Sequence, residues 1–266
     1  MSRYRPLFAR TTLEHRGALV PFLVLGDPAT EGWVDRLVAA GADAIELGFP
    51  FSDPIADGPV IQAAAARALR AGASVARCFA AISAIRSRHP DLPIGLLLYA
   101  NLIMSRGRDS FYGACRAAGV DSVLVADVPE AESGPFAAAA AVVGIDHVMI
   151  APPNATLDHA ARIVSRTRGY IYVTTRAGVT GEGAPADRDL PRRIATLREL
   201  GAPPPLVGFG IAGATDARYA LAAGAAGVIV GSSLIRRILE DADQVDGYLM
   251  SLRAETGRQA PIATVA

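Results

Sequence analysis

Lysine is missing from the 266 residues, and all 26 basic side chains are arginine. Without an ε-amine the chain can form no internal Schiff base with a carbonyl substrate or with pyridoxal phosphate, so any carbon–carbon chemistry must rest on acid/base groups. Cysteine is nearly as scarce. Cys78 and Cys115 lie far apart in helix-like stretches, which excludes a disulfide framework and metal-ligand spacing and reads instead as two buried thiols. The four histidines, His15, His89, His147 and His159, form no ligand pair at helix or strand spacing, so no metal site is expected. No apolar run reaches the roughly 18 to 20 residues of a membrane span, and the first twenty residues carry no secretory pattern. Net charge is zero, with 51% apolar and 20% charged residues, which argues against disorder and against a nucleic-acid footprint. A cytoplasmic globular protein is the expectation.

What the chain does have is a repeated alternation. Short apolar runs recur at "VPFLVLG" (20–26), "DAIELGF" (43–49), "IGLLLYA" (94–100), "SVLVADV" (122–128), "DHVMIAP" (146–152), "YIYVTT" (170–175), "PLVGFG" (205–210) and "GVIVGS" (227–232). Near-continuous apolar runs suit parallel strands covered on both faces. Alanine- and arginine-rich helical patterns lie between them, such as "SVARCFAAISAIRSRH" (74–89). Eight strands alternating with helices imply an α/β fold closed into a (β/α)8 TIM barrel, one domain over 1–266, with a frayed tail from about 257.

In such a barrel the chemistry collects at the C-terminal strand ends. "AIELGFPFSDPIADG" (44–58) puts Glu46 inside an apolar run and follows it with Asp53 and Asp57 on a loop. Ile45 and Leu47 suit the helix-facing side, so alternation turns Glu46 into the barrel mouth, where desolvation should raise its pKa towards neutrality. The alternative is a glutamate paired with a buried arginine. Asp57 reaches the same pocket, or else caps the helix that begins near Pro59. "VGFGIAG" (207–213) and "VGSSLI" (230–235) offer glycines and helix-start amides suited to phosphate, with Ser232 adding a hydroxyl. "TRAGVTGEGAPADRDL" (175–190) reads as a lid, or as a surface loop without catalytic duty.

These stretches, with "PFLVLGDP" (21–28), "LLLYANL" (96–102), "DSVLVADVP" (121–129), "APPNAT" (151–156), "RAGVTG" (176–181), "GFGI" and "GAAGVIVGSS", resemble in order the alpha subunits of tryptophan synthase. The resemblance implies a lyase that splits indole-3-glycerol phosphate into indole and glyceraldehyde 3-phosphate by a retro-aldol reaction. It makes Glu46 the acid/base and Asp57 the acceptor of the indole N–H. Tyr172 and Thr180 position substrate and Asp57; Gly181, Gly210, Gly231 and Ser232 hold phosphate. Phe22, Leu97, Tyr99, Leu124, Ile150 and Phe209, with Tyr172, wall the indole pocket. Pro50, Asp53, Pro54, Asn101 and Pro129 match the surface that meets a beta subunit in an alpha2beta2 heterotetramer. No cofactor is implied for this chain; pyridoxal phosphate is expected on the beta partner.

Three departures stand out. The helix in "ATEGWVDRLVAAG" (29–41) is about one turn shorter than usual, Val24 replaces a commonly polar residue, and "EGAPAD" in the lid is individual to this chain. The same site would serve a stand-alone lyase releasing free indole. A barrel acting mainly as an activator of the beta subunit, or an unrelated phosphate-sugar isomerase, fits the paired carboxyls or the matched segments less well.

Overall fold

The computed structural model describes residues 2–30, 32–175 and 188–257. The expected lid residues 176–187, with Thr180 and Gly181, and the tail beyond 257 lie outside the described residues. The strands are β1 (Ala18–Val24), β2 (Ile45–Gly48), β3 (Ile94–Leu98), β4 (Ser122–Val125), β5 (Asp146–Val148), β6 (Ile150–Ala151), β7 (Ile171–Thr174), β8 (Pro205–Gly208) and β9 (Gly227–Val230). The helices are α1 (Tyr4–Leu13), α2 (Trp33–Ala39), α3 (Pro59–Arg70), α4 (Val75–Arg88), α5 (Ala100–Met104), α6 (Arg108–Ala118), α7 (Gly134–Val142), α8 (Leu157–Arg166), α9 (Leu190–Glu199), α10 (Ala214–Ala222), α11 (Ser232–Glu240) and α12 (Val245–Thr256).

Every pairing is parallel, in the order β5-β4-β3-β2-β1-β9-β8-β7-β6. The two ends of that order, β5 and β6, are separated only by Met149. They are one predicted strand interrupted at a single residue: its first half pairs with β4 and its second with β7, and the sheet closes into a barrel of eight positions.

Register decides what faces inward. Phe22, Glu46, Gly95, Ser122 and Asp146 lie side by side across β1 to β5, and Gly48, Leu97, Leu124 and Val148 form a second row towards the C-terminal ends. Ile45 and Leu47 point to the helix layer, as the alternation requires. Glycine in the first row is a matter of space: a Cβ on Gly95 would stand 2.8 Å from the Tyr4 hydroxyl and 3.0 Å from Ser122 Oγ.

The sequence reading did not anticipate α1. Its buried residues Tyr4, Leu7, Phe8 and Thr11 follow helical spacing, and Tyr4 bonds Ser122 Oγ at 3.0 Å while Arg3 reaches Asp121, just ahead of β4. Helix α1 therefore covers the N-terminal ends of the strands and leaves the opposite end for chemistry. No single helix among the described residues is long and apolar enough to cross a membrane.

Candidate active site

Glu46 is 1% exposed and points into the mouth from β2. The Tyr170 hydroxyl donates to its Oε1 at 2.7 Å, and Oε2 has no partner. The buried-arginine alternative is thereby set aside: the neighbour is a neutral phenol. Burial raises the Glu46 pKa to about 7, and the Tyr170 bond only partly opposes it. One oxygen is fixed and the other is buried without a partner in a carboxyl that lines the cavity, which leaves it free to exchange a proton with a bound substrate.

Asp57 sits on the loop after β2 and is 7% exposed. It does not cap α3: the N-cap is Gly58, without a side-chain cap, and Pro59 supplies the first helical residue. Its Oδ2 instead accepts the Tyr99 hydroxyl at 2.8 Å, and the Ala56 amide donates to that same phenol oxygen at 3.2 Å. Burial raises the Asp57 pKa to about 6, countered by the Tyr99 bond. The Phe51 ring stacks on Tyr99 at 5.3 Å, fixing the phenol from behind.

Phe22, Glu46, Asp57, Leu97, Tyr172, Phe209, Gly210, Gly231 and Ser232 share one cavity, so most of the residues singled out from the sequence converge. Leu124 and Ile150 lie on the inward register rows beside it without lining it, and Tyr99 stands behind Asp57 rather than in the wall. The open space is about 40 Å³, so a bicyclic ring enters only as the apolar wall turns aside; Tyr172 and Phe209 meet edge to face at 5.7 Å across it.

The end of the cavity expected to take phosphate is made of backbone. Phe209 and Gly210 both take positive φ, 57° and 90°, and the Thr175 hydroxyl donates to the Phe209 carbonyl at 2.5 Å, holding this turn after β8 in place. Helix α11 opens at Gly231 with no side-chain cap, leaving its first-turn amides and the Ser232 hydroxyl facing the cavity. No arginine lines the cavity among the described residues. An anion placed here would meet amide dipoles and a hydroxyl rather than a cationic side chain.

The expected partner surface occupies the segments that follow β2, β3 and β4 at this end: two loops and the first turn of α5. Asp53, Asn101 and Pro129 are exposed, Pro54 is half-buried, and Pro50 is buried and shapes the loop from inside.

A model of the family described as the tryptophan synthase alpha chain matches residues 8–261. The chain belongs to the tryptophan synthase alpha chain family. A curated alpha chain of Shewanella amazonensis is 51% identical over 257 residues, spanning 96% of this chain and 97% of its own length. One from Escherichia coli is 49% identical, with 96% of each chain covered. Among solved structures, the tryptophan synthase of Mycobacterium tuberculosis superposes with a TM-score of 0.88 at 30% identity, covering 97% of this chain and 99% of that one. The tryptophan synthase complex of Pyrococcus furiosus gives 0.81 at 32% identity, with 90% and 98% covered.

Within this alpha chain, sequence reasoning missed Tyr170, Ile61, Ile211, Ile229 and Ser233. Alternation carried the signal for two of them: Tyr170 precedes Tyr172 by two, and Ile229 precedes Gly231 by two, so each shares its neighbour's face.

Proposed function

We propose that this chain cleaves indole-3-glycerol phosphate to indole and glyceraldehyde 3-phosphate as the alpha subunit of tryptophan synthase. The observation that carries the reading is the pair Glu46 and Asp57 at one barrel mouth, each held through one oxygen by a tyrosine hydroxyl. Glu46, as the acid, gives its proton to the indole carbon that bears the glycerol chain. Asp57, ionised, accepts the N–H hydrogen bond and stabilises the positive charge that this protonation places on the ring. The neighbouring chain hydroxyl then returns a proton to Glu46 as the carbon–carbon bond breaks; its electrons restore the aromatic ring and the hydroxyl carbon becomes the aldehyde. The catalyst ends as it began, and no amine or metal takes part.

Gly210, Gly231 and Ser232, with Gly181 from the lid, hold the phosphate, and Thr180 steadies Asp57. Phe22, Leu97 and Phe209 take the flat ring, with Tyr172 orienting it and Leu124 and Ile150 supporting the wall. Asp53, Pro54, Asn101 and Pro129, backed by Pro50, form the surface for the beta subunit in an alpha2beta2 assembly. Pyridoxal phosphate belongs on that partner, since this chain has no lysine to hold it. A phosphorylated substrate does not cross membranes, which favours a cytoplasmic location.

The test is indole release from indole-3-glycerol phosphate by the purified chain, with and without a beta subunit. Slow cleavage that rises sharply on addition is expected. Equal, fast cleavage under both conditions would instead identify a free lyase, and none under either would overturn the catalytic assignment.

A further inference from the structure

Outside the barrel mouth, a sizeable void among the described residues lies under a short helix of the outer layer. Helix α2 has seven residues, against nine to fourteen for α3, α4 and α6 to α11. Seven helical residues span about 10 Å, whereas the seven residues of β1 beside them run about 23 Å. The upper part of the outer sheet face is therefore packed less closely, although Leu23, Leu25 and Leu47 there stay buried. Leu23, Leu25 and Leu47 form the floor of a chamber of about 360 Å³, and Val34 of α2 faces Cys78, Ala81 and Ile85 of α4 across it. Alanine and cysteine on α4 are too short to close the gap. Protein interiors carry few voids larger than a water molecule, while this volume falls within the range of small-molecule pockets.

The charges at its mouth narrow the occupant. Asp27 is fully buried and neutralised by Arg67, whose Nε and Nη2 reach its two oxygens at 2.9 and 2.6 Å. Arg88 is paired with Asp35 at 3.1 Å. Arg77 spends only Nη1, on the carbonyls of Ala71 and Gly72, and meets no acid among the described residues. Among the described residues, Arg77 is thus a cation without an acidic partner at the mouth of a largely apolar chamber.

We propose that this chamber binds a small monoanionic amphiphile, with an apolar body of roughly eight to ten carbons against Leu23, Leu25 and Leu47 and a carboxylate on Arg77. The site is separate from the catalytic mouth, because its floor is the opposite, helix-facing side of β1 and β2.

The test uses octanoate and octan-1-ol as probes on the full chain, followed by calorimetry and thermal denaturation. Octanoate should bind saturably and raise the melting temperature, more tightly than the alcohol. Arg77→Gln, an exposed change, should weaken octanoate about tenfold and leave octanol unchanged. Ala81→Phe should fill the chamber, abolish octanoate binding and leave cleavage at the mouth intact. Absence of saturable octanoate binding, or binding that survives Ala81→Phe, overturns the site; equal affinity for the two probes, or indifference to Arg77→Gln, overturns the anionic assignment.

Discussion

Glu46 and Asp57 are the residues whose ionisation the proposed chemistry uses, and the directions of their shifts give a pH profile with a definite sign. The reaction begins with Glu46 protonated, a form lost as pH rises through about 7, and with Asp57 ionised, a form lost as pH falls through about 6. A plot of kcat/KM against pH should therefore be a narrow bell with its top between those values. Tyr99→Phe removes a bond that stabilises the Asp57 carboxylate, so the acidic limb should move to higher pH while the alkaline limb stays; a tyrosine that merely fills space would lower the amplitude and move neither limb. Glu46→Gln should cost at least a thousandfold in turnover, within the range of a lost acid/base group, yet leave binding of glycerol phosphate intact. The same change tests linkage. Glu46 holds its proton up to about pH 7 in the fold, whereas an unfolded glutamate releases it near its ordinary value of 4.5, so the folded state loses stability as pH rises between the two. At pH 8 Glu46→Gln should raise stability by up to about 3 kcal/mol, and at pH 4 it should change little; thermal denaturation at the two pH values decides. A variant no more stable at pH 8 would mean that the buried carboxyl carries no such cost.

At the scale of strands and helices, the barrel was legible because parallel strands covered on both faces read as unbroken apolar runs, and eight such runs stand in the sequence. Edges were less legible. Strand β1 begins at Ala18, two residues before the apolar pattern strengthens, because Ala18 and Leu19 pair with Gly227 and Val228 on a strand more than two hundred residues away. Helix α1 went unread because Thr11 takes a buried place and arginines surround the apolar positions, blurring the stripe. In the site, alternation was enough to aim Glu46 inward, and the glycine-bearing ends of β8 and β9 pointed to an anion. The phenols that hold the two carboxyls were not legible as such: Tyr170 is 124 positions from Glu46 and Tyr99 is 42 from Asp57, and only closure of the barrel makes them neighbours. Strand β3 shows how tightly that closure is packed. Gly95→Ala would set a methyl against Tyr4 and Ser122 and within 3.5 Å of the Tyr170 hydroxyl. Overpacking should cost about 1 to 3 kcal/mol and lower cleavage with it, because Tyr170 carries the Glu46 anchor. Loss of stability with an unchanged pH profile and rate would detach Tyr170 from the function assigned to it.

Across the whole molecule, the two ends of the barrel are built for different purposes. At the end away from the site, Asp43 gathers Arg16 through two bonds of 2.8 Å, Arg10 at 3.0 Å, Arg253 at 3.1 Å and the Leu19 amide at 3.1 Å, tying α1, β1, β2 and α12 through one carboxylate. Asp43 is 5% exposed, so Asp43→Ala strands buried guanidinium charge and should cost about 3 to 5 kcal/mol, lowering the melting temperature by roughly 10 °C with little change in kcat at low temperature. The catalytic end instead leaves apolar side chains uncovered. Ile55 on the loop after β2 is 71% exposed and Met104 at the end of α5 is 50% exposed, among the exposed Asp53 and Asn101 of the proposed partner surface. Apolar side chains ringed by polar ones mark a surface that is covered in the assembly. Met104 touches neither carboxyl nor cavity, so Met104→Glu separates the two duties of this end: the isolated chain should cleave indole-3-glycerol phosphate at its usual rate, while affinity for the beta subunit falls about thirtyfold and activation needs correspondingly more partner. Unchanged affinity would take Met104 out of the interface, and a slowed isolated chain would mean that α5 supports the mouth directly, through the Tyr99 that immediately precedes it.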